Sequence, residues 1–305
     1  MLWLWLGCGE GRDSVKGHDD SEVVDSEIGE SGGDSRGGSG RDSEESDAES
    51  GESGDTGDTG SAAWDGRPCA AFGAPIALGR VQDPALTELS GIAVSRVNPG
   101  IVWVHEDSGG EPVVYALDRA GTVAGAVRLS GVSNVDWEDI AVGRCEPEGP
   151  DRWCVVVGDI GVPGGERSDF ALLRFEEPAL DGAPEIEIAP EILPVAYPVA
   201  QEDAEALALT AAGEPVVVTK RADATAGIYW LPAGASAWEP LAEVSTGAAG
   251  EDLTARATAA DLFPDGSALI VRTYFHVWLF ASSDGGAGGG AAGARKRRDF
   301  DHDPP

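Results

Sequence analysis

Between Trp64 and Ser283 the apolar positions come in short bursts, and the bursts recur in a set order. An alternating opener appears as Thr87-Glu88-Leu89-Ser90-Gly91-Ile92-Ala93-Val94, again over Val135–Val142, again over Glu202–Leu209, and more loosely over Thr258–Phe263. A compact apolar run follows each one: Ile101–His105, Cys154–Gly158, Pro215–Thr219 and Ala268–Arg272. A third run comes next, at Val113–Leu117, Phe170–Arg174, Gly227–Leu231 and His276–Phe280. Period-2 alternation and β-branched content predict strands, and signals such as Pro264-Asp265-Gly266 predict the turns. A polar-alternating fourth strand, such as Ala124–Leu129, closes the first three units. No stretch carries a convincing helical period.

Strand–turn–strand units repeating roughly every 50 residues, with apolar middle strands, predict an all-β fold of the β-propeller type. Four blade-like repeats are visible, and the last is either short of a strand or degenerate. The segment Ala74–Val81 reads as a lone outer strand that could complete the fourth blade. A two-sheet sandwich uses the same hairpins, but it gives no reason for an acid to recur at the start of each unit.

Composition divides the rest of the chain. Residues 9–60 hold 17 Asp and Glu against 4 Lys and Arg, with few large apolar side chains, so they cannot bury enough surface to offset chain entropy. The expected organisation is a leader remnant at 1–8, a disordered acidic Gly/Ser/Asp/Glu tether at 9–62, a propeller at 63–284 and a disordered Gly-rich, basic tail at 285–305. The whole chain carries a formal charge of -33, which repels nucleic acid and anionic membranes. Hard cations and cationic ligands remain compatible.

The opening Met1-Leu2-Trp3-Leu4-Trp5-Leu6-Gly7-Cys8 is too short to span a bilayer, which needs ~20 apolar residues. An apolar run ending in Leu6-Gly7-Cys8 before a polar stretch resembles the end of a bacterial lipoprotein signal. That resemblance implies lipidation of Cys8, export, and a membrane attachment made through the lipid alone. Cys145 and Cys154 flank the turn-rich Glu-Pro-Glu-Gly-Pro-Asp-Arg-Trp. This places them on facing strands of one hairpin, within reach of a disulfide. Cys69 has no evident local partner.

The first strand of a propeller blade lines the central channel, so Glu88, Glu138, Glu205 and the weaker Asp261 are expected to converge there, flanked by Asp136, Asp139 and Asp203. Crowded carboxylates need protons, hydrogen bonds or a cation. Oxygen ligands of irregular geometry favour Ca²⁺ over Mg²⁺. Equally, each acid could accept backbone N–H groups of the neighbouring blade and hold the ring together. A second set stands at the ends of the second strands: His105, Asp107, Asp159, Lys220 and Arg272. Together these are candidates for a polar catalytic cup. No Gly-x-Ser-x-Gly, His-Glu-x-x-His or phosphate-cradling loop accompanies them.

The order Glu88–Ile92, His105–Gly109, Asp136–Ala141, Gly158–Gly161, Asp203–Leu207, Val218–Arg221 and Leu269–Tyr274 resembles a family of exported, mostly uncharacterised bacterial propeller proteins. Val162-Pro163 stands where that pattern has Asp-Asn. The resemblance implies a propeller and export. In style the inner-strand carboxylates are similar to those of gluconolactonase and paraoxonase propellers, whose axial calcium supports ester or lactone hydrolysis. Two functional classes follow: a surface-tethered binding or scaffold module, and a calcium-dependent hydrolase of phosphate esters, esters or lactones.

Overall fold

In the β-rich bursts, Val, Ile and Trp pack well on a pleated surface, and the intervening Gly, Pro and Asp residues favour turns. The computed structural model describes residues 79–147, 151–198, 200–247 and 255–280, together with the backbone of short strands at 2–4, 76–78, 281–282 and 300–302. Cys8, Cys69, the expected tether at 9–62 and most of the tail lie outside the described residues. The strands in chain order are β1 (Leu2–Leu4), β2 (Ile76–Gly79), β3 (Leu89–Val94), β4 (Val102–Glu106), β5 (Val113–Leu117), β6 (Val123–Leu129), β7 (Trp137–Arg144), β8 (Trp153–Asp159) and β9 (Ala171–Glu176). They continue as β10 (Ile186–Ile188), β11 (Glu191–Pro194), β12 (Ala204–Leu209), β13 (Pro215–Thr219), β14 (Thr225–Trp230), β15 (Glu239–Ser245), β16 (Ala257–Leu262), β17 (Ala268–Thr273), β18 (Val277–Ser282) and β19 (Phe300–His302).

Besides the two-stranded sheet β1-β2, four sheets each contain an antiparallel meander whose first strand is innermost: β3-β4-β5-β6, β7-β8-β9-β11, β12-β13-β14-β15 and β16-β17-β18-β19. They are the blades of a four-bladed β-propeller. Two connections depart from the sequence expectation. The fourth blade takes its outer strand from β19, while β2 within Ala74–Val81 pairs antiparallel with β1 instead. The link between β9 and β11 also lends β10 to the first blade, where it pairs parallel with β6.

Three buried clusters join successive blades. Trp103, Val114 and Val127 of blade 1 meet Trp137, Ile140, Val157 and Leu173 of blade 2. Ala141, Val156 and Leu172 meet Leu207, Val217 and Trp238 of blade 3. Ala208, Val216 and Ile228 meet Leu269, Val271 and Phe280 of blade 4. Each fully buried Val, Leu, Ile or Phe contributes ~1.5–3 kcal/mol, so these clusters dominate the fold's stability. A smaller cluster sets Leu86 on Val102, Val104 and Leu117, on the opposite face of blade 1. Among the described residues no buried cluster joins blade 4 to blade 1.

Buried acids reinforce two of the junctions. Glu177, just after β9, accepts from Trp103 Nε1 (2.7 Å), from the Ser95 hydroxyl and from the backbone N–H groups of Arg96 (3.1 Å) and Val97 (3.2 Å). Blade 2 thereby grips the β3–β4 corner of blade 1. Asp139 accepts from the N–H of Ile140 (2.9 Å) and of Leu207 in blade 3 (2.8 Å). The expected Cys145–Cys154 disulfide is present, with Cα atoms 4.9 Å apart.

Candidate functional site

The inner strands share a local irregularity that decides where their acids point. Pairing slips by one residue between Trp137 and Asp139 in β7 and between Ala204 and Ala206 in β12, leaving Glu138 and Glu205 outside the ladder. The same slip falls between Ala257 and Ala259 in β16, at Thr258, and between Leu89 and Ile92 in β3, at Ser90 and Gly91. A bulge re-aims the unpaired side chain. Glu138, Glu205, Ser90 and Thr258 are thus structural equivalents, and Glu88 and Asp261 are not.

The expectation of four converging acids is corrected accordingly. Glu138 and Glu205 come together, whereas Glu88 lies exposed before β3 and Asp261 lies exposed near the far end of β16. By register Glu88 corresponds to Asp136 and Asp203, two positions before each bulge. Those two do join the site. Oxygens of Asp107, Asp136 and Glu138 lie within 4.8 Å of one another, and so do those of Glu138, Asp203 and Glu205, with Glu138 common to both groups. The result is a cup of five carboxylates at one end of the inner strands. Its deepest members, Glu138 and Asp136, are only 5% and 6% exposed.

The second-strand set divides as well. Asp107 belongs to the cup, and Lys220 reaches it by pairing with Glu205. Asp159 borders the cup, where its Oδ1 accepts the N–H of Asp136 at 3.0 Å and pairs with Arg167 at 2.7 Å. His105 does not line a rim. It is wholly buried, Nδ1 meets the Glu106 carbonyl oxygen at 2.9 Å, and its ring stands edge-on to Trp137 at 5.7 Å. Burial lowers its pKa, against the opposing pull of the Glu106 and Asp139 backbone and of the Asp107 charge. Arg272 is exposed on blade 4.

Three residues that sequence reasoning passed over shape the cup. Asn134 is buried; its Nδ2 donates to the carbonyls of Glu106 and Asp107 (3.1 and 2.6 Å), and its Oδ1 accepts the Trp137 N–H (3.1 Å). This clips the loop bearing Asp107 to the start of β7. Arg167 also donates to the Gly161 carbonyl at 3.1 Å. Gly161 itself must lack a side chain, since a Cβ would lie 2.2 Å from Glu138 Oε1 and 2.3 Å from Asp136 Oδ2. The Asp-x-Glu step shared by Asp136–Glu138 and Asp203–Glu205 is the signal that could have found this cradle.

The electrostatics are strained. Two carboxylates 4.8 Å apart repel by about 3.5 kcal/mol at an effective dielectric of 20. Burial first, and then Glu205, Asp107, Asp136 and Asp203, push the Glu138 carboxyl far above its usual range. Burial with Asp107 and Asp203 raises Asp136 to about 6, with Arg167 opposing. Burial raises Glu205 against the pull of Lys220, and raises Asp203 against the Val162 N–H and Lys220. Without a cation Glu138 is driven toward its protonated form.

No family model matches this chain, and no curated protein does. Partial likeness to solved structures is to propellers: the Cps50 (Swd1) propeller domain of Myceliophteria thermophila (13% identity, TM-score 0.38, 70% of this chain and 57% of that one) and a putative TolB from Agrobacterium tumefaciens (14%, 0.37, 65% and 60%). A third is the PQQ-bound aldose sugar dehydrogenase of Streptomyces coelicolor (11%, 0.36, 71% and 81%). The chain spans under two thirds of the length of the first two.

Proposed function

We propose that this chain is an extracytoplasmic binding module whose propeller takes a hard divalent cation, calcium by preference, in the cup of Asp107, Asp136, Glu138, Asp203 and Glu205. The observation that carries the reading is Glu138, which sits on a bulge, is almost fully buried, and is shared between two three-carboxylate groups. An acid kept only for structure behaves like Asp139 or Glu177, with its oxygens turned to backbone or indole N–H donors. The facing carboxyls of Glu138 and Glu205 instead depend on a proton or on Lys220 to coexist. Carboxylates in irregular array suit Ca²⁺ better than Mg²⁺, which demands a near-ideal octahedron.

Binding fits the geometry better than hydrolysis. Lys220 is engaged by Glu205 and Arg167 by Asp159 and Asp169, while His105 and Arg272 lie away from the cup. A calcium titration of the melting temperature tests the reading. A ligand that binds only the native state adds about 2.7 kcal/mol at 100 times its Kd. Glu138→Gln should keep the fold and lose the gain, and a wild-type melting temperature indifferent to calcium refutes the site. Attachment through lipidated Cys8 rests on the sequence pattern alone; a Cys8→Ala protein still held on membranes removes it.

A further inference from the structure

The two carboxylate groups of the cup share Glu138 but are not equivalent, because one of them already holds a cation of the protein's own. In the group with Asp203 and Glu205, the Lys220 ammonium pairs with Glu205, at side-chain exposures of 17% and 14%. The same ammonium lies 5.8 Å from the centre of the Tyr274 ring in blade 4, whose face attracts it. The Lys220 backbone N–H donates to the Asp203 carbonyl at 2.7 Å, which fixes where the side chain starts. Asp203 is met as well, since its Oδ1 accepts the Val162 N–H at 3.1 Å. The group with Asp107 and Asp136 has no such cation. Asp107 Oδ1 accepts the N–H of its neighbour Ser108 at 2.7 Å. Asp136 is 6% exposed, yet its carboxylate accepts no hydrogen bond and joins no ion pair among the described residues. Arg167 acts on it by charge alone, with its donors committed to Asp159, Asp169 and the Gly161 carbonyl. Asp136 Oδ2 and Glu138 Oε1 both face the bare surface of Gly161.

We infer that the divalent cation occupies the Asp107–Asp136–Glu138 group, and that Lys220 is a built-in counter-ion that closes the Glu138–Asp203–Glu205 group to a second one. The inference rests on the reading of the cup as a cation site and adds which half of it is open. Two three-carboxylate groups joined by one shared carboxylate have the make-up of a two-metal centre, whose ions stand roughly 3.5–4 Å apart. Lys220 puts a single, tethered charge where the second ion would go, and its stem and the Tyr274 ring hold it there. The cup is thereby restricted to one ion, and Lys220 rather than the number of acids sets that limit.

Calcium binding to the full chain, followed by equilibrium dialysis and calorimetry at neutral pH, should saturate at one ion per chain. Lys220→Met keeps the stem and removes the charge, and it should saturate at two. Lys220→Arg keeps the charge and should saturate at one. Adding Glu205→Gln to Lys220→Met should take the second ion away, and Asp136→Asn alone should lose the wild-type ion. Circular dichroism and thermal melting establish that each variant is folded, and Lys220→Gln replaces Lys220→Met if the latter is not. Two ions on the wild-type chain, or one on the folded Lys220→Met protein, overturn the role given to Lys220 while leaving the cup a cation site. Wild-type binding that survives Asp136→Asn overturns the choice of half in the same way. No calcium on any of these chains overturns the cup itself, and this inference with it.

Discussion

Replacing Glu177 with Ala should be among the most damaging single changes in the protein, although Phe-Glu-Glu-Pro reads as surface. The carboxylate is 4% exposed and serves four donors. Two belong to buried residues: the indole of Trp103, at 0% exposure, and the hydroxyl of Ser95, at 8%. The N–H groups of Arg96 and Val97 belong to exposed residues and can turn to water. Stranding a buried donor costs roughly 1–3 kcal/mol, and bonds to a charged acceptor stand at the upper end. Two such losses amount to about 3–5 kcal/mol, a large share of the roughly 5–15 kcal/mol that holds a domain folded. Urea unfolding followed by tryptophan fluorescence measures this directly, because Trp103 reports on the blade 1–blade 2 junction. Glu177→Gln keeps an acceptor and loses the charge, so it should fall between wild type and alanine. A loss below about 0.5 kcal/mol for Glu177→Ala, the range of ordinary surface substitutions, would refute the clasp.

The metal-free protein should lose stability as pH rises from 5 to 8. Asp136 and Asp139 have folded pKa values raised by burial to about 6 and about 8 from 3.8, so the native state holds extra protons across that window and gives them up as pH climbs. The lowered His105 acts oppositely, losing its contribution as pH falls below 6.5, but it is one group against several. Melting in chelator at successive pH values checks this, and a maximum at pH 8 would contradict it. Gly161→Ala should abolish the calcium response with little change in circular dichroism, since its Cβ would intrude between Glu138 and Asp136; an intact response would move the site. Replacing Cys145 and Cys154 with serine opens a loop of sequence separation 9, and equilibrium unfolding should show a loss of about 2–3 kcal/mol on the chain-entropy account.

What the sequence disclosed and what it concealed follow from the range of each interaction. Strand pairs such as β4 with β5 or β13 with β14 are local, written in adjacent apolar runs and the turns between them, and the propeller was legible from their repetition. The hairpin disulfide was legible for the same reason. Glu138 and Glu205 were found where expected, but both stand at a slip in register, and a slip leaves no trace in the hydrophobic pattern from which to extend the set to blades 1 and 4. Counting back from Ile92 therefore promoted Glu88, whose place in the repeat is that of Asp136. Strand β10 escaped notice because its partner β6 lies far back in the chain and three residues carry no period. Asn134 and Glu177 were invisible because their importance rests on donors brought to them only by the fold.

The loan of β10 to blade 1 has a consequence for how the molecule comes apart. Blade 2 cannot peel away without tearing three residues from the rim of its neighbour and releasing the Glu177 clasp. These two blades should therefore open as one cooperative unit, with matched amide-exchange rates at Val127, Leu129 and the strand β10. Among the described residues blade 4 shares a buried cluster with blade 3 and with no other blade, so its amides should exchange first, through a partial opening that leaves the other three standing.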